Sequence, residues 1–236
     1  MKPILVLPLA LACAFGVSPA AAGGQFIGSV VLTPAGCESL DECMLGQDFG
    51  YLDKRGVGWQ AKKDDKTDGA SIPKWAQMFA GDPWTPDYLK AAVLHDHYSK
   101  SVRPVRGWYE TQRMFYEALL DSGVSTKKAA MLFSGVLIGS GKWIVKMKGR
   151  KCPIGDVCVT NVVELSTETE NPSFGEPDYE ASLKRLQAAI DAAGELDEDA
   201  IRALALDERP DSQYLKHPGG IIKVDLEQWP FATPEQ

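Results

Sequence analysis

Apolar and polar positions change period along the chain, and the changes divide it into elements. From Gln25 to Leu32, and again from Phe49 to Gln60, aromatic and β-branched residues are punctuated by glycine, which predicts a small set of strands. Helical spacing then takes over. Thr85 before Pro86 and Asp87 is a start signal, and Tyr88, Ala91, Ala92, His95 and Ser99 follow at helical intervals, so a helix is expected from about Pro86 to Lys100 with this face inward. A second helix is expected from about Gly107 to Ser122, with Trp108, Gln112, Phe115, Ala118 and Leu119 on one stripe and Gly123 ending it. A third starts at Ser125 and carries Ala129, Leu132, Phe133, Val136 and Leu137.

Beyond residue 163 the pattern changes. Tyr179, Leu183, Leu186 and Ile190 form one helical stripe stopped by Gly194, Leu196 to Leu206 suggests another short helix, and Gly219 to Val224 a strand. The polar stretch Thr167 to Ser173 reads as a linker. The expected architecture is α+β: a small antiparallel sheet packed with a helical core over 23–163, followed by an acidic, mainly helical extension over 164–236. That extension either docks its apolar stripe on the body or recruits a partner.

Charge sharpens this division. The whole chain carries −7, but from Glu164 onward there are 17 acidic and 6 basic residues. An acidic tail therefore follows a mildly basic body. The apolar run Ile4 to Val17, closed by Ser18 to Ala22, fits an export signal over 1–22. A lipoprotein reading would modify Cys13, but the residues before it lack the usual large aliphatic group. Later runs are too short for a membrane span. A periplasmic or secreted location is expected, with an envelope component or envelope protein as partner and no nucleic acid.

Four cysteines remain after the signal: Cys37, Cys43, Cys152 and Cys158. In an oxidising compartment proximity favours the bridges Cys37–Cys43 and Cys152–Cys158. The rival is a zinc site, disfavoured by the wide spacing and the lack of nearby histidine.

Candidate chemistry concentrates in Thr67 to Pro73 and in Ala91 to Asp96. Two of the three histidines, His95 and His97, lie here. The order of Thr67, Asp68, Ala70, Ser71, Ile72 and Pro73, then Ala91, Ala92, His95 and Asp96, then Glu117, Ala118, Leu119, Gly123 and Val124, resembles domain-of-unknown-function family 1353, found in bacteria and phages. The resemblance spans roughly Gly50 to Trp143 and implies a domain, without an established reaction. It also shows two departures. Family members tend to have a tyrosine where this chain has Ser99, and an aspartate where Gln112 stands.

Three chemical readings follow. In a hydrolase acting on lipid, peptidoglycan or peptide, His95 is a general base, Asp96 and Asp68 orient it or hold a cation, and Ser71 shapes the site. The His-Asp step on a helix also resembles secreted phospholipase A2 enzymes, where histidine activates water and the next aspartate binds calcium. In the metal reading Asp68, His95 and Asp96 ligate a divalent cation, calcium or zinc, although adjacent helical residues diverge. In the non-enzymatic reading the same residues are a structural lock within a phage-related or envelope-associated binding protein. There His95 bonds the turn, and Asp96 pairs with Lys100.

Two further signals carry less. Gly139 to Lys142 resembles the end of a phosphate loop, but Trp143 follows the lysine and Val136 stands where the first glycine belongs. Lys142, Lys146, Lys148, Arg150 and Lys151 form a basic run, read as a solvated face or a contact with anionic headgroups or wall polymers.

Overall fold

Gly28, at φ +83°, breaks the first apolar run, because that backbone conformation ends a strand and is strained for residues with a Cβ. The run therefore supplies two short strands to two different sheets, β1 (Gln25–Ile27) and β2 (Leu32–Thr33). The computed structural model describes residues 23–40, 42–69, 81–82, 84–101, 105–149 and 162–225. Within these, β3 (Cys43–Leu45), β4 (Phe49–Leu52), β5 (Gly58–Ala61) and β6 (Lys66–Thr67) complete two antiparallel sheets in the orders β1-β4-β5 and β2-β3-β6. Cys37 and Cys43 are joined by a disulfide. The export signal over 1–22, Cys152 and Cys158 lie outside the described residues.

The helices follow the sequence stripes. Helix α1 (Pro86–Asp96) has Thr85 at its N-cap position and Pro86 in its first turn, but the Thr85 side chain makes no capping bond. Its last turn widens into a π-turn over His97–Ser101. Helices α2 (Trp108–Asp121) and α3 (Thr126–Gly139) complete the core, where Leu94, Phe115, Leu119, Phe133 and Leu137 are almost wholly buried. Tyr51 ties the sheets to this bundle, its hydroxyl donating to Asp121 at 2.6 Å. The α+β expectation holds, with three small sheets in place of one.

The polar stretch read as a linker is partly strand. β7 (Lys142–Gly149) is central in a third sheet, antiparallel to β8 (Val162–Glu170) and parallel to β9 (Ile221–Asp225). Thr167 to Glu170 pair with Lys142 to Val145. The basic run is correspondingly not simply a solvated face. Lys142 is buried against Glu170, and Lys146 pairs with Glu168.

After β8 come α4 (Pro177–Ala193), α5 (Glu198–Glu208) and the short α6 (Gln213–Lys216). Tyr179, Leu183, Leu186 and Ile190 are buried, with Tyr179 and Leu183 reaching Gly135 of α3. The apolar stripe is thus spent on intramolecular docking. No described helix is long and apolar enough to cross a membrane.

Candidate functional site

The site forms where the end of α1 meets the turn after β6 and the middle of α2. His95 and Asp96 are neighbours in sequence but point about 100° apart around the helix, so they enter different environments.

Asp96 faces the turn. Its Oδ2 accepts the Thr67 hydroxyl at 2.7 Å and the Asp68 amide at 3.3 Å, while Lys100 lies 2.8 Å from Oδ1. The Lys100 ammonium also donates to Asp68 Oδ1 at 2.7 Å, placing one cation between two carboxylates. The Thr67 hydroxyl in turn accepts the Gly69 amide at 3.2 Å. Burial pushes the Asp96 carboxyl up to about 7, with the Lys100 charge pulling the other way.

His95 faces α2. Its Nε2 lies 2.8 Å from Gln112 Oε1, and its ring packs 4.9 Å from that of Phe115. In the tautomer that makes this contact a hydrogen bond, Nε2 carries the proton and donates to the amide oxygen, and Nδ1 is unprotonated. Burial depresses His95 to about 4, leaving the imidazole neutral near pH 7; the Gln112 bond opposes this shift. Gln112 is itself fully buried, and its Nε2 has no hydrogen-bond partner among the described residues.

A cavity of about 210 Å³ opens beside these groups. From the helices it is lined by Ala92, His95, Ser99, Phe115 and Val136, with Asp96 and Lys100 at its border with Gly69. Ser140, Gly141, Asn171, Pro172 and Phe174 line it from beyond α3 and β8. It is therefore mixed, with hydroxyl and amide groups set among aromatic and aliphatic surface.

Several sequence expectations change here. No described hydrogen bond or ion pair joins His95 to Asp96 or Asp68; Gln112 holds its ring instead. The lock exists, but Asp96 makes it and His95 does not. Asp68, His95 and Asp96 do not form a ligand cluster. Among the described residues, the only three His, Cys, Asp or Glu groups close enough to share an ion are Cys37, Glu38 and Cys43, two of them disulfide-bonded. The ammonium of Lys100 stands where the two carboxylates would hold a cation. Ser71 lies outside the described residues.

Two features were not anticipated. His97, one residue beyond the His-Asp pair, places Nδ1 2.5 Å from Asp65. Asn171 and Pro172 fall in the stretch read as a linker and Phe174 just beyond it, where only the Asn-Pro step hints at a fixed turn.

Comparison with known proteins places the chain in a family. A family model described as "Protein of unknown function (DUF1353)" matches residues 43–136. "Uncharacterized protein y4iH" of Sinorhizobium fredii (strain NBRC 101917 / NGR234) is 41% identical over 166 residues, covering 70% of this chain and 67% of the relative. "Uncharacterized protein y4jT" of the same strain is 30% identical over 167 residues, covering 64% of this chain and 49% of the relative. The match thus takes in only about half of the second relative. No solved structure matches the chain.

Proposed function

The chain belongs to the DUF1353 family, and we propose that it is an exported hydrolase of an envelope component, with His95 as general base. The observation carrying this reading is the division of labour on one imidazole. Nε2 is fixed by Gln112, Nδ1 is left unprotonated, and the ring borders a cavity that holds several hydroxyl and amide groups. A base needs a fixed tautomer and an available lone pair; the Gln112 contact supports the first, and the ring's place in the cavity wall supports the second. Water at Nδ1 would lose its proton as it attacks a carbonyl carbon, with Ser99, Ser140 and Asn171 as nearby donors for the developing oxyanion. Asp96, Asp68 and Lys100 would act at one remove, holding the turn against α1. Export rests on the leader-like segment Met1 to Ala22 and agrees with the Cys37–Cys43 disulfide.

A second reading, a binding protein without catalysis, draws support from Gln112. An amide carries no charge to stabilise an imidazolium, as the family's aspartate would. The two readings separate on purified mature protein offered short-chain esters, phospholipid vesicles, muropeptides and peptides. Hydrolysis that His95→Gln lowers by about 10²-fold or more, with the fold intact, is the expected result. Turnover of none of these, or equal turnover by the variant, would leave the binding reading.

A further inference from the structure

The cavity beside His95 has walls of two origins. His95, Ser99, Phe115 and Val136 lie within the family match at 43–136, whereas Ser140, Gly141, Asn171, Pro172 and Phe174 lie beyond it. The second wall is fastened to the end of α3. The Ser173 amide donates to the Gly139 carbonyl at 2.9 Å, and its hydroxyl donates to the Ile138 carbonyl at 3.2 Å. Phe174 meets Tyr179 edge-on, with ring centroids 5.4 Å apart. Both rings occupy the space a side chain at Gly139 would need, since a Cβ there would stand 2.6 Å from Phe174 Cδ1. The ring is therefore held by backbone contacts and by a glycine that makes room for it.

We infer that Asn171 to Phe174 form a specificity wall, with Phe174 closing the apolar end of a pocket for an uncharged, carbonyl-containing ligand with a short straight acyl arm. Charge complementarity argues for a neutral ligand, because the charged lining groups Asp96 and Lys100 are paired with each other at 2.8 Å. Polar anchoring is available. Ser140 Oγ accepts the Trp108 indole N–H at 3.3 Å and keeps its own proton for a carbonyl, and Ser99 and Asn171 add further donors. The apolar part of the lining includes Phe115, Val136, Pro172 and Phe174. At about 210 Å³ the cavity is small beside the roughly 300–1,000 Å³ of sites for drug-sized ligands, which favours a short acyl arm of about four carbons. The inference rests on the proposed reading for the location of the site, though not for catalysis at it.

The test uses ligands that are not expected to turn over. The N-methylamides of straight-chain acids from three to ten carbons are titrated into the 15N-labelled full chain, and binding is read from the tryptophan indole signals. Tightest binding is expected near four carbons, with loss of tenfold or more by eight. Each buried methylene is worth roughly fourfold, so Phe174→Ala should move the optimum two or more carbons longer and tighten the eight-carbon amide about tenfold. Phe174→Leu, which keeps more of the packing, should shift it in the same direction by less. An unchanged optimum in a folded variant, or no saturable binding of any amide to the wild type, would overturn the inference. The same series set beside ester hydrolysis by the wild type separates the two questions. Length-selective binding by a wild type that hydrolyses no ester would sink the hydrolase and leave the wall, whereas hydrolysis with an optimum indifferent to Phe174 would sink the wall alone.

Discussion

The Thr67 hydroxyl donates to Asp96 Oδ2 at 2.7 Å, joining residues 29 apart in sequence. Around this bond gather the Asp68 amide and the Lys100 ammonium, so the Asp96 carboxylate binds the turn after β6 to the end of α1. His95, one residue earlier, takes no part. A two-residue motif that resembles one catalytic unit is divided between two tasks.

That division sets the effect of replacing Asp96. Removing a carboxylate that is 1% exposed leaves a buried hydroxyl and much of an ammonium without their acceptor. Asp96→Ala is therefore expected to lose about 1–3 kcal/mol of stability, as when a buried polar group is left without its partner. Asp96→Asn, which retains an accepting oxygen, should lose less. Urea unfolding at pH 7 measures both, and unchanged midpoints would show that the network does not hold the fold.

The same two residues titrate in opposite senses. His95 is depressed to about 4 from an ordinary 6.5, so its contribution to stability is present above pH 6.5 and is lost as pH falls through that value towards 4. Asp96 is raised from 3.8 to about 7, so its contribution is present below pH 3.8 and is lost as pH rises towards 7. Each is worth about 3–4 kcal/mol, and between pH 4 and 7 they largely offset one another. His95→Gln should therefore gain stability relative to the wild type on going from pH 7 to pH 4, and Asp96→Asn should lose it. Unfolding curves at both pH values decide the matter; parallel behaviour of the two variants and the wild type would contradict the opposition.

Much of this was legible in the sequence where the physics is local. The stripe Tyr88, Ala91, Ala92 and His95, and the position of Gln112 between Trp108 and Phe115, follow from helical period alone, and all seven are buried as that period requires. Where partners are distant the sequence was silent. Glu168 and Glu170 look like a solvated linker until their pairing with Lys146 and Lys142 of β7 is known. The exchange of roles between His95 and Asp96 was hidden for a related reason. Helical spacing separates their directions but does not say which one meets the turn.

Gly139 tests how closely the extension is fitted to the body. A methyl group there would collide with the rings of Tyr179 and Phe174. Although alanine is favoured over glycine in helices by about 1 kcal/mol, overpacking is expected to dominate, and Gly139→Ala should cost about 1–3 kcal/mol. Thermal unfolding checks the sign. A stabilised variant would mean that the rings move aside freely, which would also loosen the wall beside His95.

Gln112 offers the sharpest test of the imidazole itself. Its Oε1 accepts from His95 Nε2 at 2.8 Å in a fully buried place, so the ring is oriented but any positive charge on it is poorly compensated. Gln112→Glu keeps the length of the side chain and both ligating positions while supplying a negative charge. A carboxylate at hydrogen-bond distance favours the imidazolium, so His95 should titrate at a higher pH than in the wild type, visible in the NMR shift of its ring protons. If His95 is a general base, the same change strengthens it and should raise hydrolysis of a responsive ester by about tenfold or more. The added buried charge carries a stability cost, largest where His95 is neutral, so the variant should be less stable at pH 8 than at pH 6. A raised His95 titration with no gain in turnover would assign the histidine to binding, and an unmoved titration would show that the interaction with residue 112 does not control the ring.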